Sequence, residues 1–97
     1  MKIDKTVNGG ELVIKLEGRL DTNTSPKLEE EIGDLTRIEI LIFDFQGLEY
    51  ISSAGLRILL VCQKKMNGQG NMIVRNVNDE IKEILAITGF SNLLTIE

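Results

Sequence analysis

The sequence predicts a single α/β domain of order ββαβαβαβ, a mixed sheet with an N-terminal antiparallel hairpin and helices packed on it. Three observations lead there. Short β-branched runs alternate with longer segments of helical period, a turn dipeptide separates the first two runs, and Gly, Asn and Ser stand at the boundaries. At 97 residues a folded chain exposes about 5,500 Å² of a roughly 15,700 Å² unfolded surface, which supports one domain over residues 1–97 and hardly two.

Taken in order, Ile3–Val7 and Leu12–Leu16 flank Asn8-Gly9-Gly10-Glu11, and Asn-Gly favours a tight turn with positive φ, so the chain opens on a hairpin. Ser25 is placed as an N-cap with Pro26 at the first helical position; Leu28, Ile32 and Leu35 then share one face of a helix ending near Thr36. Ile38–Phe43 is nearly continuous in apolarity and six residues long, as suits a central strand covered on both faces. Ala54–Met66 forms a second, more buried helix closed by Asn67-Gly68, with Lys64 and Lys65 near its negative end. Asn71–Arg75 is the next strand. Asn78 caps a third helix with Ile81, Ile84, Leu85 and Thr88 on one face, and Gly89 is placed at the left-handed C′ position, folding Phe90 back on Leu85. Leu93–Ile96 makes a last short strand. Strand-helix-strand crossovers of this length require parallel neighbours joined by right-handed connections.

Composition narrows the chemistry. Fifteen acidic against eleven basic residues give a formal charge of −4, which repels a polyphosphate backbone and argues against nucleic acid. There is no histidine, no tryptophan and one cysteine, Cys62. A serine hydrolase with an imidazole base is thereby excluded, a Cys/His zinc site lacks ligands, and no intramolecular disulfide forms. No cofactor or metal is expected. No apolar run reaches membrane-spanning length and no export signal is visible, so a reducing cytoplasm is the expected location and a membrane is not an expected partner.

The segment Asp44–Arg57 carries the most unusual combination, read as running from the C-terminal end of the central strand into the second helix, where ligands of open α/β sheets bind. Ser53 would stand at a helix start whose free N–H groups favour an anion. Ser52 and Ser53 have a simpler explanation as N-cap residues. Gly55, inside the first turn, costs roughly 1 kcal/mol relative to alanine, which points to a packing or docking reason. Asp21 and Asp44 are placed at this same edge, with ordinary loop carboxylates as the alternative. Glu29-Glu30-Glu31 and Lys64-Lys65 read as solvated faces, and Cys62 as a small buried hydrophobe.

Tyr50-Ile51-Ser52-Ser53-Ala54-Gly55-Leu56-Arg57 resembles the signature of the STAS family, the bacterial anti-sigma factor antagonists. Gly18-Arg19-Leu20-Asp21 resembles a second marker and Thr88-Gly89-Phe90 a third, so the likeness spans essentially the whole chain. The resemblance implies that the unphosphorylated protein binds an ATP-dependent anti-sigma factor or related serine kinase and displaces the sigma factor. It also implies that the kinase phosphorylates the serine two residues before the glycine, here Ser53, and that a PP2C-like phosphatase reverses this. Many such members carry an acidic residue where this chain has Ser52, which becomes a possible secondary acceptor. The expected partner-binding set is Asp21, Asp44, Ser52, Ser53, Gly55, Leu56 and Arg57, with no catalytic residue.

Two other readings stand beside this one. A STAS scaffold or ligand sensor would hold a nucleotide or small anion near Asp21, Ser53 and the helix N-terminus. A small enzyme would use Ser53 as nucleophile with a lysine base, but no lysine lies near Ser53 in the sequence and no phosphate cradle is recognisable.

Overall fold

Alternation along Glu11–Leu20 turns Leu12, Ile14 and Leu16 to one side and Glu11, Val13 and Lys15 to the other. In the computed structural model, which describes residues Met1–Glu97, this segment is strand β2. It pairs antiparallel with β1 (Lys2–Asn8) and parallel with β3 (Ile40–Ile51). β4 (Asn71–Arg75) and β5 (Thr95–Ile96) complete one sheet of order β1-β2-β3-β4-β5. Helices α1 (Ser25–Ile32), α2 (Ser53–Asn67) and α3 (Asp79–Ile87) occupy the three crossovers. The mixed α/β order expected from the sequence is the one observed.

Each crossover advances one strand in the same direction, so right-handed connections bring all three helices to one face. Register agrees, because Leu12, Leu41 and Met72 form one row across the sheet and Ile14, Phe43 and Val74 the next. All six are buried in a cluster of 23 residues that also takes in Leu28 of α1, Leu59 and Met66 of α2, and Ile81 and Leu85 of α3. The chain exposes 5634 Å².

Several boundaries differ from expectation. The hairpin turn is Gly9-Gly10, with Gly9 at φ 62, while Asn8 remains in β1 opposite Glu11. Ser25 is not the N-cap of α1: Thr24 holds that position with no side-chain cap bond. Ser25 is buried, its hydroxyl donating to the Asp21 carbonyl at 2.6 Å. α1 ends at Ile32, not near Thr36, because Gly33 turns out of the helix at φ 61 and Asp34 then accepts from both the amide and the hydroxyl of Thr36. Leu35 is still buried, held by the turn.

The largest difference is β3. Instead of Ile38–Phe43 it runs for twelve residues, Ile40–Ile51, and most of the segment read as a strand-to-helix loop is strand. Phe45, Leu48 and Ile51 continue its buried side, and two one-residue register shifts against β2 keep them inward past Gln46, Gly47 and Glu49. Those shifts break strict alternation, which hides the second half from pattern reading. At the C-terminus Gly89 is left-handed, as expected, at φ 82. Phe90 packs against the core and opens a 3₁₀ turn through Asn92, which shortens the last strand to Thr95–Ile96 and leaves Leu93 exposed.

Candidate functional site

The length of β3 decides where the site lies. β2 and β3 stay paired as far as Leu20 and Ile51, and the Ser52 amide then donates to the Leu20 carbonyl at 2.8 Å. That bond brings the chain leaving β2 at Asp21 beside the start of α2. Asp21, Ser52, Ser53 and Arg57 are thus gathered at one end of the sheet.

The two serines divide the work. Ser52 is the N-cap of α2 in extended backbone, its Oγ accepting from the Gly55 amide at 3.4 Å, while its carbonyl accepts from Leu56 at 2.9 Å. Ser53 is the first helical residue, exposed, and its hydroxyl makes no hydrogen bond. α2 has no acidic residue in its first turn, so the free amides there are uncompensated by any carboxylate of the helix itself.

Gly55 and Leu56 shape this end from within. Both are buried, Leu56 as part of the core cluster. A Cβ on Gly55 would lie 2.7 Å from Leu20 Cγ and 2.9 Å from Ile51 Cγ1, so the glycine lets α2 sit against the ends of β2 and β3. Arg57, one turn beyond Ser53, is exposed and makes neither an ion pair nor a hydrogen bond. It stands on the rim of a groove of about 150 Å³ between α1 and α2, whose lining includes Glu29, Ile32, Leu35, Val61 and Cys62. Cys62 is buried, and loss of hydration pushes its thiol up to about 11.

Asp21 forms a local turn. Its Oδ1 accepts from the amides of Thr24 and Asn23 at 3.1 and 3.0 Å, and Thr24 Oγ1 accepts from the Asp21 amide at 2.9 Å. The Thr24 amide bond is the main cause that holds the Asp21 carboxyl below the usual carboxylate range. Arg19 Nε lies 3.8 Å from Asp21 Oδ2, and its guanidinium sits 4.2 Å from the centroid of the Tyr50 ring. Arg19 and Tyr50 are register partners on β2 and β3. Sequence reading missed this pair, since no local pattern reveals a cross-strand register set by bulges.

Asp44 does not join the group. Six strand residues lie between it and Ile51, a separation of roughly 20 Å at the ordinary rise per residue. It sits between Lys15 and Arg75 on neighbouring strands, accepting from Asn76 Nδ2 and the Gln46 amide, each at 3.0 Å. Partial burial pushes its carboxyl up, but those two bonds together with Lys15 and Arg75 outweigh this and leave it lowered. The expectation that Asp44 borders the Ser53 edge is therefore corrected, for the strand does not end at Asp44. Asn78 caps α3 as the sequence predicts, its Oδ1 accepting from the Ile81 amide at 2.9 Å, and its Nδ2 also donates to the Leu48 carbonyl at 3.0 Å, a tie from α3 to the outer half of β3 that the sequence did not reveal. No cluster of three or more Cys, Asp or Glu side chains is placed to hold a metal ion, and no helix is long and apolar enough to cross a membrane.

Comparisons with known proteins bear on the family and the fold. BtrV of Bordetella bronchiseptica is 28% identical over 99 residues, covering 99% of this chain and 85% of that protein. The anti-sigma F factor antagonist of Paenibacillus polymyxa is 25% identical over 100 residues, covering 99% of this chain and 86% of the relative. Among solved structures, an anti-sigma factor antagonist from Mycobacterium paratuberculosis superposes with a TM-score of 0.86 at 23% identity, covering 98% of this chain and 83% of that one. The family model of the STAS domain matches residues 2–97, so the chain belongs to the STAS domain family.

Proposed function

We propose that this chain is an anti-sigma factor antagonist: a binding module, without turnover of its own, that in the cytoplasm engages an anti-sigma factor with serine kinase activity and so releases a sigma factor. The observation that carries the reading is the division of labour at α2. Ser52 supplies the cap, leaving the Ser53 hydroxyl exposed and unbonded at a helix start. Ser53 is the proposed phosphoacceptor, Ser52 a secondary one, and the docking face comprises Asp21, Ser52, Ser53 and Arg57, shaped from beneath by Gly55 and Leu56. The names of the relatives support this function, and so does the resemblance of Tyr50–Arg57 to the family signature.

Phosphorylation adds roughly −1.5 to −2 charges at pH 7. On a docking face that accommodates a hydroxyl, such a group is either desolvated or repelled by partner carboxylates, so binding weakens without refolding. A PP2C-like phosphatase would restore the binding form. The test is affinity capture in the presence of ATP with wild type, Ser53→Ala and Ser53→Asp, followed by phosphate mapping. Recovery of an ATP-binding kinase by wild type and Ser53→Ala, weaker recovery by Ser53→Asp, and phosphate on Ser53 are expected. No kinase and an unmodified Ser53 would overturn the proposal in favour of a ligand-sensing scaffold.

A further inference from the structure

We infer that Arg57 is the internal counter-ion of a phosphate on Ser53: once that serine is modified, the two side chains pair along the exposed face of α2. The inference rests on Ser53 being the modified residue, and it adds a role for Arg57 that is separate from contact with any partner.

Ser53 and Arg57 are four residues apart in one helix and both are exposed, a spacing that sets their Cβ atoms about 5–6 Å apart. The anion lies N-terminal to the cation, the more favourable order for such a pair. A guanidinium matches two phosphate oxygens with two parallel N–H donors. Availability distinguishes Arg57 from the other arginine at this end of the sheet. Arg19 is already held between Asp21 Oδ2 and the Tyr50 ring. Arg57 is unengaged: the ion pairs of the chain are Lys2 with Glu17 and Arg19 with Asp21. Glu29 of α1 shares the groove with Arg57 and Lys65 but is paired with neither. A phosphate carrying nearly two charges on the same helix face competes well against that single, unpaired carboxylate.

A structural consequence follows. Arg57 forms part of the rim of the α1–α2 groove, so turning it toward Ser53 withdraws a cation from that rim. One covalent change then alters two features of the docking face, the hydroxyl and the arginine one turn away.

The measurement is a ³¹P NMR titration of the second phosphate ionisation, made on the full chain with phosphoserine encoded at position 53. Wild type, Arg57→Lys and Arg57→Gln are compared at low salt and at 1 M salt. A neighbouring cation favours the dianion, so the wild-type midpoint should lie about 0.2–0.4 pH unit below that of Arg57→Gln. Arg57→Lys should keep part of the shift, and 1 M salt should shrink the gap. Arg57 is exposed and unbonded, so both variants should melt with wild type. Equal midpoints for wild type and Arg57→Gln would overturn the inference. Because the phosphate is installed during translation, failure of any kinase to modify Ser53 would sink the proposed function while leaving the pairing measured. Equal midpoints in a chain that a kinase does modify would sink the pairing alone.

Discussion

Replacing Gly55 by alanine sets two physical effects against each other, and the structure decides the winner. Inside a helix the change gains about 1 kcal/mol of intrinsic propensity. Against it, the new Cβ would stand 2.7 and 2.9 Å from Leu20 Cγ and Cδ2 and 2.9 Å from Ile51 Cγ1, distances that packed carbon atoms do not tolerate. Leu20 is 0% exposed and Ile51 3% exposed, so neither can swing into solvent. Overpacking of this kind costs about 1–3 kcal/mol. With two buried neighbours overlapped the upper part of that range applies, and the net loss is about 1–2 kcal/mol, a fall in Tm of roughly 4–8 °C for each kcal/mol in a domain of this size. Urea unfolding followed by far-ultraviolet circular dichroism measures it. A double-mutant cycle adds a sharper criterion. Leu20→Ala alone should cost about 2–5 kcal/mol, but with Gly55→Ala the new methyl enters space vacated by the leucine. The double variant should therefore be more stable than additivity predicts by at least about 1 kcal/mol. A Gly55→Ala protein as stable as wild type, or a cycle additive within about 0.5 kcal/mol, would refute the claim that close packing against β2 is why a glycine stands there.

Asn78→Ala removes the cap on Ile81 and leaves the Leu48 carbonyl without its donor; urea unfolding should show a loss of about 1–2 kcal/mol, and Asn78→Asp, which keeps only the cap, should lie between. The lowered carboxyls of Asp21 and Asp44 stabilise the fold above about pH 4, and that contribution disappears as pH falls through their folded values. Asp21→Asn should accordingly flatten the acid limb of a stability-against-pH curve, and an unchanged limb would count against the Thr24–Asp21 turn. With its thiol at about 11, Cys62 is almost wholly protonated at pH 8. Its reaction with a disulfide reagent should be about two orders of magnitude slower in the native protein than in urea, where an ordinary value near 8.5 applies, and comparable rates would mean that α2 opens readily.

The sequence by itself determined the element order, the hairpin, the central position of β3 in the sheet, the caps at Asn78 and Gly89, and the segment that carries the family signature. These features rest on local causes: helical period, turn chemistry, and the few residue types that cap a helix. Its errors fell where local and tertiary causes diverge. Ser25 has the residue type of an N-cap, yet the turn built by Asp21 and Thr24 starts the helix one residue earlier and draws Ser25 inside. Gln46, Gly47 and Glu49 read as loop because bulges against β2 break the two-residue alternation, although hydrogen bonding to a neighbouring strand keeps them in β3. Asp44 followed from that error, since a strand ending at Phe43 would have set it beside Ser53. Which serine caps α2 and which stays free, why Gly55 admits no side chain, and that Arg19 is occupied while Arg57 is not were likewise decided only in three dimensions. Each depends on which residues of β2 lie opposite the end of β3, a pairing set by packing across the sheet rather than by any pattern within one segment.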